Sequence, residues 1–510
     1  MKIFAAIDVG SYEIGMKIFQ MSKKYGMKEI DYIRHRIDLG TDTYTTGKIS
    51  YDHMEELCEI LKGFTGIMES YRVDAYRAYG TSAIRETRRT DVVLDQIHLR
   101  TGLSVEVLSN SEQRFLDYKS VALKGGGIFD KIIHSGTIFV DIGGGSTQVS
   151  IFRNAGLITT VNLRLGILKI RERLTRMEPR RSQYDELLSE IIENELHSLR
   201  KLYLQDMDIR NIIVVDDYLP YILHRIGERE NPDFVTSAQY LDYLEKMKLM
   251  NHEEVSKLVG IPPENSSLLM PSATFIQHFI NSTNAEKLWI PGVSLSDGIA
   301  YDYAERTRII ETGHDFDRDI LTSADQIAAR YRCSQTIIAS ILQVSLAVFD
   351  SMKKFHGLNR RARLLLELSA RLRECGSFIS VSAPAESAYS IIMGTEIIGL
   401  SHKEREMVAL SVLESFPGEA GYTRAFNSSD ETFRLTVVKL SAILRLSSGL
   451  AINPRKKYRS VRAAIKEREL IITVESAEET VLERFMALEG AKAFEEVFGI
   501  RPVIKSKMVT

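Results

Sequence analysis

Cysteine is nearly absent. Cys58, Cys333 and Cys375 are the only three in 510 residues and lie far apart. An odd, scattered set argues against a disulfide framework or a zinc site. Long apolar runs are missing too. No stretch approaches the ~20 residues that a membrane-spanning helix needs, so no membrane association is expected. The first residues lack the basic, apolar and small-residue order of a signal peptide, and the cytoplasm is the expected compartment. Net charge is small, at −2. The field of the whole molecule cannot gather a polyanion, which must be held by local clusters, and no specific nucleic-acid binding is expected. The rest is ordinary for a globular protein, with 44% hydrophobic and 26% charged residues and length for about three to four domains.

The most informative stretch is Thr137–Ile151. An apolar run, Ile138–Val140, ends on Asp141. Gly143, Gly144 and Gly145 follow, then Ser146 and Thr147, then alternating residues through Val149 and Ile151. This pattern predicts a β-hairpin whose turn is nearly stripped of side chains. Successive N–H groups in such a turn can form a nest for an oxyanion, and a strand-end carboxylate beside it can hold a hydrated divalent cation. A glycine-rich hairpin with no ligand is the plain alternative. The device occurs twice, however. Phe4–Asp8 leads to Gly10 and Ser11, and a second apolar strand leaves through Phe19. Two copies a domain's length apart predict a duplicated fold with a polyphosphate between its halves.

Strands are expected at Lys2–Asp8, Ile14–Met21, Ile30–Ile37, Ala75–Gly80, Ser104–Leu108, Leu157–Leu163, Asn211–Val215 and Leu288–Ser294. Helices are expected between them at Tyr51–Ser70, Thr90–Thr101, Ser182–Leu204 and from Asp233 to Gly260. This alternation is that of an α/β fold, divided at Gly125–Gly127 into domains 1–126 and 127–308. Thr81 and Ser82 stand where a helix begins after a strand, with Arg85 on its first turn as a further anion contact. Residues 309–455 read as helix after helix, and 456–510 as a small α+β tail. Lys169, Arg171, Arg173, Arg176, Arg180 and Arg181 form one basic run after Gly166. Arg360, Arg361, Arg363, Arg371 and Arg373 form a second, and Arg455, Lys456 and Lys457 a third. Each is a candidate polyanion track, with a solvated face as the alternative.

In order and spacing, Ile7–Ser11, Gly80–Glu86, Val140–Thr147 and Leu165 with Gly166 resemble the exopolyphosphatase / guanosine pentaphosphate phosphohydrolase (Ppx/GppA) family. The resemblance implies duplicated actin-like and sugar-kinase (ribonuclease H-like) domains, then an all-helical domain similar to HD phosphohydrolases, then the α+β tail. It implies a homodimeric hydrolase that uses Mg²⁺ and water to release terminal phosphate from inorganic polyphosphate or guanosine pentaphosphate. Carried onto this sequence, Gly10, Ser11, Thr81, Ser82, Gly143, Gly144, Gly145, Ser146, Thr147 and Gly166 would bind phosphate. Arg85 would clamp it through a planar fork, and Asp8 and Asp141 would hold the metal or order water.

The sequence also departs from the family's pattern. The family's catalytic glutamate falls on Gln113, and an amide cannot take a proton from water at neutral pH. Glu112 is then the only carboxylate of that corner, so Glu112, Gln113, Asp141 and Arg85 are the catalytic candidates. Tyr12 and Glu13 replace small polar groups in the first turn. Asp216, Asp217 and Tyr218 replace a glycine-rich turn with carboxylates that repel phosphate. In the helical region the HD dyad falls on Arg373 and Glu374 and a further ligand on Ala451, so no di-metal centre is expected there. Two functions follow: an exopolyphosphatase of reduced turnover, or a homologue that binds polyphosphate or guanosine polyphosphates without hydrolysing them. An actin-like ATPase or sugar kinase fits the hairpins but not Thr81–Glu86.

Overall fold

The computed structural model describes residues 1–180, 183–205, 207–226, 234–311, 314–417, 430–453, 455 and 458–508. Arg181, Ser182, Asp233, Lys456 and Lys457 lie outside the described residues. The chain forms two compact units, Met1–Asp315 and Phe316–Thr510. Among the described residues no helix is long and apolar enough to cross a membrane.

The first unit contains two sheets. One is built from β1 (Lys2–Val9), β2 (Glu13–Ser22), β3 (Gly26–Arg36), β4 (Ala75–Gly80) and β5 (Val105–Val107), in the order β3-β2-β1-β4-β5. The other is built from β6 (Thr137–Ile142), β7 (Thr147–Arg153), β8 (Gly156–Leu163), β9 (Asn211–Val215), β10 (Phe234–Thr236) and β11 (Lys287–Trp289). Its order, β8-β7-β6-β9-β11-β10, repeats the first and adds β10 at the edge. In each, an antiparallel three-strand meander precedes two parallel strands. The central strands β1 and β6 are buried on both faces, which is why they read as near-continuous apolar runs.

The duplication extends to the turns. Gly10 N–H donates to the Glu13 carbonyl at 3.1 Å, and Gly143 N–H donates to the Ser146 carbonyl at 3.0 Å. Glycine is required in the first turn, because a Cβ on Gly10 would lie 2.5 Å from the Glu13 carbonyl oxygen.

Four elements differ from expectation. The strand expected over Leu288–Ser294 ends at Trp289, since Pro291 has no N–H to give a ladder and Ser294 already caps the helix Leu295–Arg306. The helix expected from Asp233 is instead β10 followed by helices Ser237–Lys248 and His252–Val259, opened by capping boxes at Thr236 and Asn251. The helix expected over Ser182–Leu204 runs Tyr184–Leu199 and closes in a π-helical turn, Arg200–Leu204. A helix not expected, Leu39–Thr46, forms between an Asp38 cap and a left-handed Gly47.

Helix Asn110–Gly125 crosses Leu295–Arg306 so closely that a Cβ on Gly298 would lie 2.2 Å from the Leu116 carbonyl oxygen. Buried ion pairs hold Leu295–Arg306 in place. Lys119 Nζ lies 2.8 Å from Asp302 across the crossing, and Lys17 Nζ on β2 lies 2.9 Å from Asp297. Removing one partner of such a pair strands a buried charge, at a typical cost of ~3–5 kcal/mol.

The second unit is a set of packed helices, among them Gln335–Ser351, Arg360–Leu372, His402–Glu414 and Glu431–Leu450. A small sheet follows, ordered β12 (Tyr458–Lys466), β13 (Glu469–Ser476), β14 (Arg501–Met508). Helix Val481–Phe498 links its parallel pair and packs against Glu431–Leu450, where a Cβ on Gly449 would lie 2.6 Å from Ala487 Cα. Most of the second basic run is engaged in ion pairs. Arg360 pairs with Asp317 (2.9 Å), Arg361 with Glu404 (2.6 Å), Arg363 with Asp350 (3.0 Å) and Arg371 with Asp325 (2.9 Å). Each pairing consumes a positive charge that a polyanion track would need.

Candidate active site

The two hairpin turns meet at one cavity of about 130 Å³ within the first unit. From the first half it is lined by Asp8, Gly10, Ser11, Thr81 and Ser82. From the second half come Asp141, Gly143, Gly144 and Ser146. Helix Asn110–Gly125 adds Gln113 and, one turn later, Asp117. Residues i and i+4 share a helix face, so both side chains point into the same space.

Glycine lets the two halves touch. A Cβ on Gly144 would sit 3.2 Å from Ser11 Cβ, and one on Gly145 would sit 2.3 Å from Tyr44 Oη and 2.9 Å from Ser82 Oγ. Those neighbours form a closed triangle of hydroxyls. Ser11 Oγ lies 2.8 Å from Tyr44 Oη and 2.7 Å from Ser82 Oγ, and Tyr44 Oη lies 2.8 Å from Ser82 Oγ. Each hydroxyl both gives and accepts a hydrogen bond, so the triangle can turn its protons toward an anion without leaving a donor idle.

Carboxyl groups dominate the floor. Burial, followed by the charges of Asp217, Glu13 and Asp141, pushes Asp8 up to about 8. Asp8 Oδ1 is buried with no hydrogen-bond partner. Asp117 and Asp141 are hydrogen-bonded to each other, and burial raises both above the ordinary carboxylate range. Arg114, fully buried one residue after Gln113, opposes the rise at Asp141. Burial and then Asp217 push Glu13, at the rim, up to about 7. A pocket that crowds carboxylates until they hold protons is relieved by a hard cation. Among the described residues no three Asp, Glu, His or Cys side chains are gathered tightly enough to enclose an ion. A hard cation held by one or two carboxylates, with water and substrate oxygens completing its shell, needs no such cluster. Asp8, with its unsatisfied oxygen, and Asp141 are the pair that fits.

Five other candidates stand outside the cavity lining. Glu112 closes a capping box. Its Oε2 accepts from Ser109 N–H (3.0 Å) and Oγ (2.7 Å) while Ser109 Oγ accepts from Glu112 N–H. Arg85 donates from Nη1 to the Leu108 carbonyl at 2.6 Å, tying its short helix to the end of β5. Thr147 donates to the Leu165 carbonyl at 2.8 Å and is fully buried. Gly145 faces the hydroxyl triangle. Gly166 lies behind the turn: the N–H groups of Ile167 and Leu168 donate to the Gly143 and Gly144 carbonyls at 3.1 and 3.0 Å. The start of that helix is therefore spent on shaping the turn.

The neighbourhood of the third departure divides. Asp216 accepts from the N–H groups of Tyr218 (2.7 Å) and Leu219 (2.6 Å) and from Ser272 Oγ (2.7 Å), and so caps the helix Leu219–Ile226. Asp217 is surface-accessible and lines the cavity. In the first basic run, Lys169 pairs with Glu86 (3.1 Å) and Arg171 with Asp38 (2.6 Å), joining the two halves.

Sequence reasoning missed Asp117, Tyr44, Arg114 and Gln148. Gln148 sits opposite Asp141 in the β6–β7 register and accepts from Arg114 Nε at 2.7 Å. The signal for Asp117 was its four-residue spacing from Gln113.

A family model described as the Ppx/GppA phosphatase family matches residues 18–307, and one described as Ppx/GppA phosphatase, domain III, matches residues 321–488. A guanosine-5'-triphosphate,3'-diphosphate pyrophosphatase of Photobacterium profundum is 20% identical across 93% of this chain and 92% of its own. One from Vibrio cholerae is 20% identical across 93% and 92%. Among solved structures, an exopolyphosphatase from Cytophaga hutchinsonii shares the fold, with a TM-score of 0.53 at 17% identity over 61% of this chain and all of that one.

Proposed function

Because the chain belongs to the Ppx/GppA phosphatase family, we propose that it hydrolyses phosphoanhydrides, releasing the terminal phosphate of inorganic polyphosphate or of guanosine pentaphosphate. One observation carries this reading. Two aspartate-ended glycine turns from the two halves face a single cavity, joined there by a carboxylate from a third element.

Ser11, Thr81 and Ser82 on one side and Gly143, Gly144 and Ser146 on the other bind the terminal phosphate through hydroxyl and backbone donors. Asp8 and Asp141 would hold Mg²⁺, which when bound supplies positive charge against the phosphate oxygens. Asp117 orients the attacking water and accepts its proton, and Gln113 positions the same water by hydrogen bonding. Glu13 and Asp217 at the rim repel the following phosphates, so the cavity admits a chain end rather than its middle. The enzyme works in the cytoplasm as a homodimer. The exposed Val481, Phe485 and Leu488 on helix Val481–Phe498 are the candidate contact, which light scattering tests.

The deciding assay measures phosphate release from long-chain polyphosphate and from guanosine pentaphosphate with Mg²⁺, beside binding of the same ligands. Mg²⁺-dependent release is expected. Binding with no release would instead establish the non-hydrolysing reading.

A further inference from the structure

The second unit contains a separate cavity of about 190 Å³, where five segments converge. Helix Gln335–Ser351 gives it Ile337 and Ile341, helix Glu431–Leu450 gives Arg445 and Ser448, and helix Val481–Phe498 gives Met486. Arg373 and Ser415 complete the side that matters here.

Two guanidinium groups on this cavity differ from the four paired arginines of the second basic run. Arg360, Arg361, Arg363 and Arg371 each sit within 3.0 Å of a carboxylate oxygen. Arg445 has no hydrogen bond or ion pair among the described residues. Arg373 uses only Nε, donating to Ser415 Oγ at 3.1 Å, and its plane lies 4.0 Å from the centre of the Phe416 ring. Burial lowers Arg373 to about 10, despite the opposing charge of Glu374. Glu374 and Glu489 also line the cavity. Glu489 is exposed on its helix, and Glu374, whose carboxyl burial raises, acts on Arg373 through its charge rather than through a hydrogen bond.

A guanidinium is planar and always charged, and it offers paired donors that match phosphate oxygens. Two of them on one cavity, with no carboxylate bound to either among the described residues, make a receptor for a tetrahedral oxyanion. The cavity has room for roughly six waters at ~30 Å³ each, enough for more than a single phosphoryl group. We propose that this cavity binds a phosphate-bearing anion of about diphosphate size, gripped by Arg373 and Arg445. The site is distinct from the carboxylate-lined cavity of the first unit and needs no metal, because its charge is supplied by the arginines.

Calorimetric titration of the full chain with inorganic diphosphate, in chelator, tests this. Without a cation the carboxylates of the first cavity repel the probe, so one saturable site is expected. Arg445→Met should weaken it at least tenfold, Arg445→Lys by less, and Arg373→Met at least as much as Arg445→Met. Asp141→Asn should leave it unchanged. Arg445 is only partly buried, so its variants keep the test decisive if Arg373→Met fails to fold. Absence of saturable binding, unchanged affinity in Arg445→Met, or loss of the site in Asp141→Asn would overturn the proposal.

Discussion

Asp117 and Asp141 share a hydrogen bond at the floor of the cavity, although one sits on helix Asn110–Gly125 and the other at the end of β6. Two carboxyl groups bond only if one of them carries the proton. Burial drives the sharing: Asp117 is 2% exposed and Asp141 6%. Asp117 therefore gives up its proton above the ordinary carboxylate range.

That sets the first prediction. Asp117→Asn should lower phosphate release by ~10²–10⁴-fold, the usual cost of losing a general base, with substrate affinity nearly unchanged. Asp141→Ala should abolish turnover and Mg²⁺ dependence together. A base must be ionised to act, and both carboxyls are raised, so the acid limb of the rate profile should lie above the ordinary carboxylate range of about 4. Full activity of Asp117→Asn would remove it from the chemistry.

The second prediction concerns the corner at Glu112 and Gln113. Glu112 spends its carboxylate on the capping box, so Glu112→Ala should cost ~1 kcal/mol of stability and change turnover by less than a few fold. Gln113→Glu moves a carboxylate one turn back along the same face. Placed on the Asp117→Asn background, it should restore part of the lost rate. Calorimetric melting and a phosphate assay on the same samples separate the two roles.

Gly166 gives the third. A Cβ there would lie 2.4 Å from the carbonyl oxygens of both Gly143 and Gly144. Backbone must shift to accept it, and overpacking of this kind costs typically ~1–3 kcal/mol. Gly166→Ala should lower the melting temperature and weaken substrate binding together, because the displaced atoms belong to the turn. A stability loss with unchanged affinity would show that the turn yields without effect on the site.

These variants also mark how far the sequence could be read. The two hairpins, β4 and β9 are legible because buried strands leave apolar runs bounded by turn residues. Helix Leu39–Thr46 is not, since Thr41, Thr43, Thr45 and Thr46 are poor helix formers and the helix rests on its caps and on packing. With it went Tyr44 and the hydroxyl triangle. The charge runs misled for a different reason. The partners of Arg360, Arg361, Arg363 and Arg371 include Asp317, Glu404, Asp350 and Asp325, several of them distant in sequence. A run of one sign says nothing about acids the fold will deliver to it. Asp117 was missed because its four-residue spacing from Gln113 marks only a shared helix face, while its role depends on facing Asp141 on another element.

The last prediction lies in the second unit. Glu414 is 5% exposed, its Oε1 has no hydrogen-bond partner, and Oε2 has only Ser441 Oγ at 3.5 Å. Burial pushes its carboxyl up from 4.5 to about 7. The folded state thus holds a proton that the unfolded chain releases between those values. The stability this group contributes is complete below 4.5 and is lost as the pH rises through about 7. At ~1.4 kcal/mol for each pH unit between those two values, the loss is about 3 kcal/mol at most. Glu414→Gln keeps the size and removes the titration. It should match the parent at the acid end of this window and exceed its stability at the alkaline end, by several degrees in melting temperature. Denaturation of both proteins across this range reads the difference directly, since every other titrating group is common to them. Parallel curves would mean that Glu414 ionises in the folded state as readily as in the unfolded chain.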